Sequence, residues 1–314
     1  MPYEGKARSA LFSRKQSGGV FVIDGANEHP GNVWFVDSGQ TTTGADAVGY
    51  GRSPDKPVLT LDYAVGLCTA NNGDVIYVMP GHAETIIADS GVDIDQAGIT
   101  VIGLGKGADR PTFTFTTAVT ADFKLAAASI RVENILFLGG VDALTGPIEI
   151  TGADCVLKDC EYRDVTGQAT DALMLVDGAD RCYIIGHRHI GAAGAGANSA
   201  IAVDGSDDLT ICDFRLYGNF AVGGIDFRTT ASARVEIYNG YIWTANAADI
   251  AIVDTITGST GKIGPDLEFM LTDNAANITE AVTGATFHYF PPIYVCNLAG
   301  EMAAADNKTA STDA

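Results

Sequence analysis

The sequence predicts an all-β chain: a single-stranded parallel β-helix solenoid with an N-terminal capping α-helix. Three observations carry this. Short apolar–polar–apolar runs start at Val92, Phe123, Ile148, Met174, Ile201, Ile225 and Ile250, evenly spaced except for a longer step from Val92 to Phe123. Each run is followed by a small or polar corner and a second strand. One amphipathic helical stretch stands directly ahead of the series. A period of roughly 25 residues, built from short alternating strands, makes each cycle one coil of a stack.

The first 20 residues hold four basic residues, Lys6, Arg8, Arg14 and Lys15, against the single acid Glu4. The remaining 294 hold 15 basic and 38 acidic residues. Such an arm on an acidic body reads as a segment that docks on a negative surface. Two strand-like runs follow, Val20–Ile23 and Asn32–Val36, separated by the turn formers Asp24-Gly25 and Pro30-Gly31. A polar loop covers Asp37 to Asp55.

The helix is expected over Val58 to Ala70, after Pro57 and with Thr60 as N-cap. Leu61, Ala64, Val65 and Cys68 fall on one stripe. A helix at this place would cover the exposed apolar end of a strand stack. Asn71-Asn72-Gly73 ends it, and Asp74-Val-Ile-Tyr-Val-Met-Pro-Gly81 reads as the first strand and corner. From there the coils run to about residue 290: Ile148-Glu-Ile150, Thr151-Gly-Ala153 and Cys155-Val-Leu157 are one example of strand, corner and strand. The long step before Phe123 and the stretch Gly191–Ala197 read as loops bulging from single corners. Phe287–Val295 is aromatic, and two prolines argue against a regular central strand. It is expected to break the cycle, capping the last coil or packing on a symmetry mate. Ala303–Ala314 reads as a mobile tail. The domain reading is therefore an arm over 1–36, loop and capping helix over 37–72, solenoid over 73–290, and C-terminal segment over 291–314.

Composition narrows the function. A formal charge of −20 argues against a nucleic-acid partner, which needs clustered Lys and Arg. No apolar run approaches the ~20 residues needed to span a bilayer, so no membrane partner is expected. The N-terminus lacks a signal-peptide apolar core. Six cysteines without CxxC spacing read as small buried thiols, not as a zinc site.

The stretches Pro57-Val-Leu-Thr-Leu-Asp-Tyr-Ala-Val65, Gly73-Asp-Val-Ile-Tyr-Val-Met-Pro-Gly81 with Glu84, Gly98-Ile-Thr-Val-Ile-Gly-Leu-Gly-Lys-Gly107 and Arg110-Pro111 resemble the opening of right-handed parallel β-helix proteins, the pectate-lyase-like group. The variant resembled most is that of β-helix proteins in tailed-phage particles. The resemblance covers about residues 50–115 by motif. It implies a non-enzymatic structural protein of the virion, a capsid decoration or spike made in the host cytoplasm, with a polysaccharide-degrading tailspike (lyase or glycoside hydrolase) and a carbohydrate-binding adhesin as the alternatives. It also implies a homotrimer docked through its N-terminal arm on the major capsid protein or another virion protein, with surface polysaccharide as a further partner.

The residues offer several enzymatic candidates. Asp154, Asp159, Glu161, Asp164 and Asp180, with Arg163 and Arg181 nearby, are the acids a calcium-dependent lyase of this group would need. Turn preference explains Asp at corners equally well. Ser206-Asp-Asp208 and Gly186-His-Arg-His-Ile-Gly191 contain the residue types of a polygalacturonase-like hydrolase, but in reversed order. His187 and His189, two apart on a strand, share a face and read as an exposed polar surface, with a metal as the sharper alternative. Tyr238, Tyr241 and Trp243 form a candidate platform for sugars. No catalytic, cofactor-binding or metal residue is assigned, and no cofactor is expected.

Overall fold

The computed structural model describes residues 12–15, 21–23, 31–164, 174–191, 196–245, 250–271, 281–283 and 286–297. Apart from an antiparallel hairpin of Phe12–Lys15 with Phe21–Ile23, the strands named here pair in parallel. Each strand pairs with its equivalent one coil later, as in Tyr77↔Ile102, Thr100↔Arg131 and Tyr183↔Thr210. The chain is thus a parallel β-solenoid with three faces.

The first face contains Val75–Val78, Thr100–Gly103, Arg131–Glu133, Val156–Lys158 and Tyr183–Ile185. The second contains Ala83–Ile86, Thr112–Phe115, Leu136–Leu138, Glu161–Arg163 and Arg188–Ile190. Two long strands, Thr210–Gly218 and Val235–Thr244, run across both faces. The third face is a seven-stranded sheet from Val92–Ile94 to Ile252–Asp254.

Period-2 alternation in the strands builds columns of inward side chains. On the first face Ile76, Val101, Val132, Leu157, Ile184, Ile211, Ile237 and Ile263 stack in register, all buried. The second face stacks Phe113, Phe137, Tyr162, His189, Leu216, Ile242 and Phe269. Phe137 meets Phe123 of the third face edge-on at 5.1 Å, so aromatics fill the middle of the prism.

The bend between first and second faces needs one left-handed residue per coil. Asn134, Asp159, Gly186, Asp213, Asn239 and Asp266 occupy it, with φ between 48° and 69°. Asn and Asp tolerate that conformation better than other side chains, and Gly has no Cβ to clash.

Buried polar groups run in ladders as well. Ser232 Oγ accepts the Ser206 N–H at 3.0 Å, and Ser206 Oγ accepts the Ala179 N–H at 3.0 Å. In a separate column, three residues further along the coil, the Cys182 thiol does the same for the Cys155 N–H at 3.3 Å. Cys68, Cys155, Cys160, Cys182 and Cys212 are all buried free thiols, as expected.

Several expectations are corrected. The helix is Leu61–Gly66, shorter than 58–70, and the Thr60 side chain does not cap it. Glu84 accepts the Leu61 N–H at 2.9 Å instead, while Thr60 Oγ1 donates to Asp46. The carboxylates that satisfy these groups come from elsewhere in the chain, so no local capping pattern announces them. The parallel register passes both limits of 73–290: Val33–Val36 pairs with Val75–Val78, and Ile293–Asn297 pairs with Leu267–Leu271.

The aromatic C-terminal segment does not break the cycle. Phe287–Tyr289 and Ile293–Asn297 form one more coil, and Pro291 and Pro292 sit in the corner between them, where no ladder N–H is needed. In the last third-face strand Ile225 pairs with Ile252, not Ile250. A two-residue slip keeps every side chain on its face, so alternation alone cannot detect it. The extra length of the step before Phe123 does leave a single corner, around the 3₁₀ turn Gly107–Asp109. Residues 192–195 of the Gly191–Ala197 insertion, most of the N-terminal arm and the Ala303–Ala314 tail lie outside the described residues.

Candidate functional site

Outward residues of the second face also stack in columns. One runs Glu161, Arg188, Arg215, Tyr241, Glu268, Tyr294. Its neighbour, two residues on, runs Arg163, Ile190, Tyr217, Trp243, Met270. From coil to coil the surface therefore changes from arginine, through an aromatic cluster, to carboxylate and a final tyrosine.

The aromatic cluster comes from three coils. The rings of Tyr217 and Tyr241 lie 5.3 Å apart, and the Tyr241 hydroxyl donates to Met270 Sδ at 3.7 Å. Trp243 is the register partner of Tyr217 and is half-buried. Tyr294 is 48% exposed. Below Tyr241 the surface opens into a groove of about 290 Å³ whose lining includes Asp213, Arg215, Asn239, Tyr241, Asp266 and Glu268. Asp213, Asn239 and Asp266 are the left-handed corner residues of three successive coils. The Asn239 amide donates to the Asp213 carboxylate, fixing the rim. Gly240 lets the bend close, because its register partner Phe214 turns a buried ring against the position a Cβ would take.

A second groove, about 610 Å³, lies on the first face between Tyr183 and His288. Its charges already satisfy one another. Lys262 Nζ meets Glu236 at 2.8 Å, and Arg234 holds Asp208 through Nε at 2.6 Å and a second nitrogen at 2.8 Å. The second-face groove has the aromatic wall, and Arg215 and Glu268 in its lining have no ion pair among the described residues, so it is the stronger binding candidate.

The candidate calcium ligands do not converge. Asp154 is paired bidentately with Arg181 at 2.8 and 3.0 Å, which holds its carboxyl below the usual range. Asp180 accepts the Asp207 N–H at 2.9 Å. Glu161, on another face, lies between Arg110 at 3.0 Å and Arg163 at 2.7 Å. Among the described residues no group of three or more His, Cys, Asp or Glu side chains is arranged to hold a metal. Asp154, Arg181, Asp208 and Arg234 instead form an alternating charge ladder along one corner, one residue to each coil. Asp207 and Asp208 both reach Arg234, so they act in this corner ladder.

The reading of His187 and His189 as an exposed face is corrected. They do share a side, but it is the interior: both are buried, and His189 stacks on Tyr162 at 5.6 Å with rings 10° apart. The Gly186 bend decides which parity points inward, and that depends on the coil register. Burial pushes the His187 pKa down to about 4 and that of His189 well below its ordinary value. Of the expected sugar platform, Tyr241 and Trp243 stand on the groove side. Tyr238 lies across the Asn239 bend on the first face, opposite Cys212, whose side chain pushes its pKa up to about 12. Sequence reading missed Tyr217, Tyr294 and the Asp213–Asn239–Asp266 rim. Their only signal is the coil period, with an Asp or Asn returning once per coil at the bend.

Register and columns define the class: a parallel β-solenoid carrying an aromatic, polar groove on an outer face. No family model matches the chain, and no curated protein sequence matches it. Among solved structures it is similar to a rhamnogalacturonan lyase, with a TM-score of 0.45 and 12% identity, over 87% of this chain and 87% of that chain. Against the expectation of a non-enzymatic protein stands the name of that solved structure, which is an enzyme's and belongs to that protein. At this identity the likeness is one of fold.

Proposed function

We propose that this chain is the β-helix body of a tailed-phage surface protein, a decoration or spike, whose second face lies along a surface polysaccharide. The observation that carries the glycan part is the aromatic cluster of Tyr217, Tyr241, Trp243 and Tyr294 beside a groove rimmed by Asp, Asn and Glu. Aromatic faces pack on the apolar faces of sugar rings, and carboxylates and amides accept and donate to hydroxyls. The stacked coils, roughly 4.8 Å apart, offer these groups in a row along the axis, which suits an extended polymer.

The phage setting rests on the resemblance of residues 50–115 to virion β-helix proteins and on the basic N-terminal segment as a docking arm. A homotrimer held to the major capsid protein or another virion protein through that arm belongs to the same proposal. Deleting residues 1–20 is expected to abolish attachment to the particle and leave the melting temperature of the body unchanged.

The test of the glycan reading is a glycan array followed by calorimetric titration of the best ligand. Tyr241→Ala and Trp243→Ala are each expected to weaken binding about tenfold or more, as for an aromatic anchor worth more than about 1 kcal/mol. Analysis of the same mixtures for shortened chains or unsaturated ends reads cleavage directly. Binding to no glycan, or binding indifferent to both substitutions, would remove the reading.

A further inference from the structure

Arg188 and Arg215 are register partners on adjacent strands of the second face, both exposed. Like charges directly opposite each other oppose strand pairing. Neither has an ion pair among the described residues, in a chain with 39 acidic residues. This is not the habit of the other arginines on the solenoid. Arg110 and Arg163 hold Glu161, Arg131 holds Glu133, Arg181 holds Asp154 and Arg234 holds Asp208. The nearest acid in the Arg188 column is Glu161, already taken by two guanidinium groups. Asp213, at the corner beside Arg215, takes the Asn239 amide.

We propose that Arg188 and Arg215 form an anion clamp, which takes a carboxylate or sulfate group of the bound glycan while its sugar ring rests on Tyr217 and Tyr241. This rests on the glycan reading above and adds to it the charge and polarity of the ligand. Two guanidinium forks on successive coils match the two oxygens of such a group. Tyr217 stands two residues beyond Arg215 on the same strand face, and Tyr241 follows Arg215 in the column on the next coil. At the other end of the groove Asp266 and Glu268 would repel the same substituent. The polymer is therefore held in one direction, its charged group toward the Arg188 end.

The experiment compares uronate, sialate and sulfated oligosaccharides with their carboxyl-reduced or desulfated counterparts, on wild type and on R188Q/R215Q. The wild type is expected to bind the charged form at least tenfold more tightly, with the preference shrinking as salt is raised from low to above physiological strength. In the double variant the ratio of charged-form to neutral-form affinity falls to about one. Its melting temperature is expected to stay level or rise, because a like-charge contact is gone. Equal binding of charged and neutral forms by wild type would overturn the clamp and leave the glycan reading standing. A double variant that loses both forms equally, or melts lower, would overturn the clamp as a structural misreading. No binding of either form by wild type would overturn both. The uronate and sulfate arms separate the two kinds of anion.

Discussion

Replacing His189 by phenylalanine is expected to stabilise the protein, and to do so more strongly in acid. The imidazole is fully buried between Tyr162 and Leu216 in the second-face column, with Phe220 5.4 Å away. Neither ring nitrogen has a hydrogen-bond partner among the described residues. Each buried, unpartnered polar group costs about 1–3 kcal/mol, and a phenyl ring keeps the stack on Tyr162. Overpacking by the larger ring offsets part of this, so a net gain of about 1–2 kcal/mol is expected at pH 8.

The pH dependence gives the sharper test. Burial holds the native pKa of His189 well below its ordinary 6.5. The unfolded chain therefore takes up a proton that the native chain refuses. The stability linked to this residue is complete above pH 6.5 and is lost as pH falls below it. At pH 5 the loss is at most about 2 kcal/mol, from a pH gap of about 1.5 at about 1.36 kcal/mol for each step of one. The gap between variant and wild type should then widen as pH falls, to no more than about 3–4 kcal/mol by the same reckoning. Urea denaturation of both proteins at pH 8, 6.5 and 5, followed by circular dichroism, measures it. His189→Leu, which fits the column without the larger ring, separates overpacking from desolvation. A gap that stays constant with pH, or a loss of stability at pH 8 in both variants, would mean that the ring nitrogens have partners and that the reasoning is wrong.

Asp122, which is buried, has its pKa pushed up to about 6 by desolvation. Its folded pKa lies above the unfolded 3.8, so its contribution is intact below pH 3.8 and is lost as pH rises toward 6. Asp122→Asn should therefore raise stability by roughly 2–3 kcal/mol at pH 7 and change little at pH 4, measured by denaturant midpoints. Gly240→Ala puts a methyl group against the buried Phe214 ring and is expected to cost about 1–3 kcal/mol and to weaken glycan binding through the displaced corner. Ser232→Ala leaves the buried Ser206 N–H without its acceptor, at a cost of about 1–3 kcal/mol in thermal melts. Ser232→Cys should recover part of it, since the Cys182 thiol accepts a backbone N–H in the same way in a different column of the solenoid. Arg234→Gln is expected to return the Asp208 carboxyl, held low by that guanidinium, toward its ordinary pKa in an NMR titration.

Much of the fold was readable because two periods are written in the same residues. The alternation in Phe123-Lys-Leu125 or Ile148-Glu-Ile150 marks inside and outside, and its return at each later start marks the coil. What escaped depends on which residue is the pivot. Val33–Val36 looks like an isolated strand until Val75–Val78 supplies its partner. The prolines at 291 and 292 look like an ending until the corner column shows that they occupy a bend. His187 and His189 look solvated because polarity was read locally, whereas the left-handed Gly186 sets the parity for the strand after it.

The groove was harder to find for a related reason: it is not a motif along the chain. Tyr217, Tyr241 and Tyr294 are far apart in sequence, yet they stand on one face because each coil returns the chain to the same place. A local search sees Tyr238, Tyr241 and Trp243 as one cluster and mixes two faces, since the bend at Asn239 falls among them. In a stack of this kind a binding surface is written across the sequence at the coil spacing. The unit on which binding chemistry acts is then a column. Arg188 and Arg215 gain meaning only in that frame: apart in sequence they are two ordinary surface arginines, and in register they are adjacent like charges with no ion pair among the described residues.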